Sequence, residues 1–141
     1  MQMSAHRYQN KNVKVEPQRP HGKEEMRMKT EKDQRWVFNE EIEKQVCGPG
    51  VARKILAYTD EMMCVENHFE KGGVGALHSH PHTQISYVVS GVFEFEIDGV
   101  KKIVRAGDTL LKKDGVIHGC VCLEAGVLLD FFTPMRQEFV S

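Results

Sequence analysis

The chain has 141 residues, 40% of them hydrophobic and 28% charged, with a formal net charge of −1. That length holds one compact domain, and the composition excludes wholesale disorder and fibrous architecture. The near-neutral charge argues against nucleic acid as the main partner, and no apolar run approaches the roughly 18 residues of a membrane helix, so no membrane association is expected.

Residues 1–34 carry 8 Lys/Arg against 5 Asp/Glu, a local net of +3 that the rest of the chain offsets with −4. Their apolar residues are isolated (Val13, Val15, Met26, Met28), and Pro17, Pro20 and Gly22 break any regular element. This predicts a polar N-terminal arm, folded along its own domain or exchanged in a homodimer to cover a sheet edge. Met1–Asn10 has no hydrophobic h-region, so the expectation is a cytoplasmic protein. Cys47, Cys64, Cys120 and Cys122 are then expected as free thiols.

Residues 35–141 read as one β-domain. Asn39–Cys47 is the one segment with a weak helical pattern. Beyond it, strands are expected near Ala52–Tyr58, Met62–Glu70, Ala76–His80, Gln84–Ser90, Val92–Ile97, Lys101–Ala106, Thr109–Lys112, Gly119–Leu123 and Val127–Phe132. Asp98-Gly99 is a strong hairpin signal, and Gly72-Gly73, Ala106-Gly107, Asp114-Gly115 and Ala125-Gly126 mark further corners. Phe93, Phe95 and Ile97 alternate with Glu94 and Glu96, giving a strand with one buried face. Many short strands with regular turns predict an all-β jelly roll or small barrel.

The chemistry concentrates in Gly72–Gln84. Histidines two apart on a strand share a face, so His78 and His80 can reach one metal ion. Gln84 re-enters a strand after Pro81, and His118 opens a later one, which makes three histidines and one amide compatible with a site in a barrel mouth. His82 points away from His80 in an extended reading and belongs to the loop or supports the site from behind. The plain alternative is a histidine-rich surface loop. Near the C-terminus, Asp130 and Phe132 share a strand face and Arg136 follows Pro134. A carboxylate in an apolar run is costly to bury unless paired or used. Asp130 and Arg136 therefore read either as a structural ion pair or as an acid/base beside a carboxylate-binding arginine, with Phe132 as an apolar wall.

The pattern Gly72-x5-His78-x-His80-x3-Gln84-x6-Gly91 resembles the first cupin motif, with Gln84 where glutamate is usual. Gly107-x5-Lys113-x-Gly115-x2-His118 resembles the second, with Lys113 replacing the usual proline and Cys122 the usual asparagine. Together with Gly50–Tyr58, Ile85–Phe95 and the Leu128–Phe139 tail, this is similar to the KdgF-type cupins of pectin and alginate breakdown. The resemblance covers roughly residues 50–139. It implies a cupin jelly-roll barrel and linearisation of 4,5-unsaturated monouronates. It implies one divalent transition metal ion (Ni, Zn, Mn or Fe) on His78, His80, Gln84 and His118, and a catalytic side of Asp130, Phe132 and Arg136. Replacing Glu by Gln leaves the site one charge more positive, which weakens its hold on the ion and strengthens its pull on an anionic sugar. Two other cupin roles compete: an Fe(II) dioxygenase, for which Cys120 and Cys122 beside His118 could be cited, and a non-catalytic sugar-acid-binding protein.

Overall fold

A computed structural model describes residues 12–16 and 27–141. Eight strands follow a 3-10 turn at Asn39–Glu41: β1 Gln45–Gly48, β2 Val51–Tyr58, β3 Met63–Phe69, β4 Val74–His78, β5 Thr83–Ile97, β6 Val100–Arg105, β7 Thr109–Lys112 and β8 His118–Thr133. All pairings are antiparallel, in the order β1-β2-β3-β8-β5-β6, with β4 on β8 and β7 on β5. Among the described residues no helix is long and apolar enough to cross a membrane. Most of the arm predicted over 1–34 lies outside the described residues. Its end lies on its own chain: Met28 bridges Ile42, Thr30 Oγ1 donates to Ile55 O at 2.7 Å, and Asp33 N donates to Tyr58 O at 2.9 Å.

The jelly roll comes from two long strands. Four of the expected strands are two: Gln84–Ser90 and Val92–Ile97 are both β5, and Gly119–Leu123 and Val127–Phe132 are both β8. The glycines between them bend the β5–β8 ribbon, and the pairing register shifts at Ser90 and Val92. Gly91 sits at φ +84°, and a Cβ there would fall 2.6 Å from Glu124 O and 2.7 Å from Gly126 Cα. Strands that turn a corner at such irregularities pass from one packed layer to the other. One end of the ribbon joins β3 and β7, the other β4 and β6.

Two apolar clusters fill the interior: Phe69, Val88, Phe93, Phe95, Leu110, Cys120, Cys122 and Leu128 in one, and Ile55, Tyr58, Met63, Val65, Phe132 and Met135 in the other. Phe93 and Phe95 face inward as the alternation predicted. Asp98-Gly99 closes the β5–β6 hairpin with φ of +50° and +77°, the left-handed pair that a two-residue turn needs.

The helix expected over Asn39–Cys47 is not formed. A single 3-10 turn covers Asn39–Glu41, and Gln45–Gly48 pairs with β2 as an edge strand. Edge pairing gives Gln45 and Val46 partners in Arg53 and Ala52, whereas an isolated helical turn would have to nucleate its own hydrogen bonds. All four cysteines are free, as expected.

Candidate functional site

β4 ends at His78, and His80 stands in the loop that follows, not on the strand as expected. The two still converge, because β4 pairs with β8 and sets His78 opposite His118. Ring centroids are 4.5 Å apart for His78–His118, 4.9 Å for His80–His118 and 5.5 Å for His78–His80. One ligand nitrogen from each histidine lies within 4.8 Å of the others.

Backbone carbonyls hold the rings. His78 Nδ1 meets Ala76 O at 2.7 Å, His118 Nδ1 meets Val116 O at 3.0 Å and His80 Nδ1 meets His82 O at 3.2 Å. An imidazole donating from Nδ1 carries its lone pair on Nε2, the arrangement that supports metal ligation. His118 Nε2 is buried without a hydrogen-bond partner. Burial pushes the His118 imidazole down to about 4, with repulsion from Lys112, His78 and His80 adding to it, while its bond to Val116 opposes the shift. His80 is likewise lowered by burial, against the opposing effect of Gln84. Three convergent imidazoles, one with an orphaned buried Nε2, are the donor set that a divalent transition metal ion takes, so these residues fit such an ion.

Gln84 lies beside this set. Its Oε1 lies 2.9 Å from His80 Nε2. The place of the His80 proton decides this contact: on Nε2 it is donated to Gln84 Oε1, on Nδ1 to His82 O. At the other end of the amide, Gln84 Nε2 donates to Ser86 Oγ at 3.3 Å.

Ser86 is the hub of a buried polar chain with no signal in the sequence. Its hydroxyl donates to Asp130 Oδ1 and accepts from Lys112 Nζ at 2.5 Å, while Asn67 Nδ2 donates to Asp130 Oδ2 at 2.6 Å. Lys112 is 2% exposed and Ser86 wholly buried. Burial lowers the Lys112 ammonium and the nearby Asp130 charge raises it. A Ser, a Lys and an Asn on three different strands share no local spacing; only the inward alternation of Gln84 and Ser86 hinted at their direction.

Phe132 connects the histidines to the tail. His80 packs on its ring at 5.7 Å, His82 at 6.4 Å and Phe139 at 5.8 Å, and the Arg136 guanidinium stands 5.1 Å from its centroid. His82 thus lies against the site and not away from it. Arg136 also covers Phe139 at 4.5 Å and bonds Glu138 at 2.5 Å. The Asp130–Arg136 ion pair weighed from the sequence is not formed among the described residues; Asp130 takes Asn67 and Ser86, and Arg136 takes Glu138. All seven candidate residues are therefore contiguous, through His80–Gln84–Ser86–Asp130 on one side and His80–Phe132–Arg136 on the other.

Cys120 and Cys122 are buried in the apolar core, and burial raises both thiols, Cys120 to about 11. Inert core thiols give a redox reading no support. A hollow of about 270 Å³ lined by Thr30, Arg53, Tyr58 and Phe139, among others, lies at the junction of arm and tail and contains none of the histidines.

The sequence model described as "Cupin domain" matches residues 65–132. The pectin degradation protein KdgF of Dickeya dadantii (strain 3937) is 41% identical over 108 residues, 75% of this chain and 98% of that one. An RmlC-like cupin from Shewanella frigidimarina NCIMB 400 aligns with a TM-score of 0.75 at 39% identity, over 78% of this chain and 99% of its own. KdgF from Halomonas sp. aligns with a TM-score of 0.71, also at 39% identity, over 74% and 96%.

Proposed function

Because this chain belongs to the cupin family, and within it to the small KdgF-like cupins, we propose that it is a metal-dependent enzyme of pectin or alginate breakdown that linearises 4,5-unsaturated monouronates. The observation that carries the proposal is the continuity of two sets of groups: metal-ready imidazoles and, linked to them through Ser86 and Phe132, a buried carboxylate and an arginine.

In this reading His78, His80, His118 and Gln84 hold one divalent ion of Ni, Zn, Mn or Fe. When bound, such an ion supplies Lewis-acid polarisation of a substrate oxygen. Arg136, its guanidinium fixed over Phe132 and Phe139, binds the sugar carboxylate as a planar fork. Phe132 forms the apolar wall. Asp130 accepts the proton of the C1 hydroxyl as the C1–O5 bond breaks, which leaves an aldehyde at C1 and an enolate at C5. The same proton delivered to C4 turns the enolate into a ketone, so atoms balance and no co-reactant is consumed. Acid–base help of this kind is typically worth about 10²–10⁴-fold.

The rest of the reading is a cytoplasmic homodimer, with residues 35–141 as the barrel and 1–34 as its arm. Free thiols suit a reducing compartment. Ile85 has Leu111 and Phe131 as its neighbours on the outer sheet face, with Ile85 and Leu111 exposed, and a second copy would cover that row.

The test pairs metal analysis with loss of alkene absorbance from an unsaturated galacturonate and from the alginate-derived counterpart. Turnover that is lost with the metal in His118→Ala and restored by none of the ions is expected. Metal-loaded wild-type protein that leaves both sugars unchanged overturns the proposal, and oxygen consumption would direct it to the dioxygenase class.

A further inference from the structure

We propose that Lys112 is a positioning residue that, acting through Ser86, fixes the Gln84 amide with its oxygen turned toward His80 and the metal centre. The proposal rests on Gln84 being the fourth ligand.

A glutamate in this position would offer equivalent oxygens at either end of its rotation. Glutamine does not: one end is an acceptor that can ligate, the other an NH₂ that repels a cation. A site that uses Gln must therefore decide which end faces inward. Side-chain hydrogen bonding around Ser86 makes that decision. A hydroxyl has one proton and two acceptor directions. Lys112 Nζ, which can only donate, takes one acceptor direction at 2.5 Å. Asp130 Oδ1 takes the proton, its other oxygen being occupied by Asn67 Nδ2. The one place left on Ser86 accepts a hydrogen, and it meets Gln84 Nε2 at 3.3 Å. With its NH₂ bound there, the amide has Oε1 at the far end, 2.9 Å from His80 Nε2.

Lys112 is held for this task. It is 2% exposed, it is the register partner of Gln84 across β5–β7, and its ammonium also faces the Phe95 ring at 4.9 Å. Without the ammonium, Asp130 still takes the Ser86 proton, but one acceptor direction of the hydroxyl is empty and the side chain loses a hold on its position, so the amide anchored on it can turn its NH₂ to the histidines.

The sign of the effect separates positioning from plain electrostatics. Removing a buried positive charge near a cation site should tighten cation binding by Coulomb's law. Loss of amide orientation should weaken it. Zn²⁺ affinity of Lys112→Met, measured by competition with a chelator, is expected to fall about 10- to 100-fold, the usual cost of losing a residue that orients a ligand. In a Gln84→Glu background, where both ends are oxygens, Lys112→Met should no longer weaken Zn²⁺ binding. The visible absorption of the Co²⁺-loaded protein should shift in Lys112→Met, and should be the same in Gln84→Glu with and without Lys112→Met.

Ser86→Ala, which keeps both charges and removes the hub, should weaken Zn²⁺ in the same way and serves if Lys112→Met does not fold. Unchanged or tighter Zn²⁺ binding in the folded variant, with Gln84→Ala weakening it, overturns the positioning role alone. If Gln84→Ala leaves Zn²⁺ affinity and the Co²⁺ spectrum unchanged, Gln84 is not a ligand and the reading beneath the proposal falls with it.

Discussion

Asn67 Nδ2 donates to Asp130 Oδ2 at 2.6 Å, and this bond joins β3 to β8 on the inner face of the barrel. With Ser86 on the other oxygen, the carboxylate is oriented from two strands before any substrate arrives. Asp130→Asn keeps the shape and removes the proton-accepting charge. Turnover of an unsaturated uronate is expected to fall by about 10²-fold or more, with metal content unchanged. Wild-type turnover in a folded, metal-loaded variant would assign Asp130 a structural role.

Arg136 is held by two aromatic rings and by Glu138 at 2.5 Å. Arg136→Lys keeps the charge and loses the fork and the stacking plane. Steady-state kinetics should show a raised KM for the carboxylate substrate with a smaller change in kcat. An unchanged KM would mean that the carboxylate is bound elsewhere.

Acid should loosen the site. The His118 imidazole, pushed from the usual 6.5 to about 4 chiefly by burial, stays neutral in the folded chain where the unfolded chain binds a proton. Between those limits the unfolded state holds more protons, so stability rises with pH. The contribution is whole above pH 6.5, is lost as the pH falls toward 4, and changes no further below that. Urea midpoints of the metal-free protein should drop from pH 7 to pH 4.5, less steeply in His118→Asn. Equal slopes would show that another group governs the acid limb.

The corner of the β5–β8 ribbon should tolerate no side chain. At Gly91 a Cβ meets Glu124 O at 2.6 Å and the backbone is left-handed, whereas Gly99 has φ +77° with nothing within 4 Å. Gly99→Ala is expected to cost about 1 kcal/mol of backbone strain, and Gly91→Ala at least twice that, about 2 kcal/mol or more. Urea unfolding of the two variants side by side checks the difference. Equal losses would mean that the corner can open.

Much of the site was legible because its residues recur at short spacing. His78, His80 and Gln84 lie within seven positions, and His118 follows a turn marked by Asp114-Gly115. Alternation placed Phe93, Phe95, Asp130 and Phe132 inward, and the Asp98-Gly99 turn set the β5–β6 register. Local signals of this kind act through the backbone of a few neighbouring residues, so a sequence carries them whole.

What the tertiary structure decided is non-local. Gly91 and Gly126 read as breaks but are bends, because whether a glycine ends a strand or folds it over depends on the strand packed beside it. Asn39–Cys47 had a faint helical pattern, yet β2 offered an edge for pairing and took Gln45–Gly48 as a strand. The Lys112–Ser86–Asp130–Asn67 chain joins β7, β5, β8 and β3 across gaps of up to 63 positions. Hydrogen-bond partners of buried polar groups are chosen by which atoms the fold brings within about 3 Å, a distance that has no counterpart along the chain.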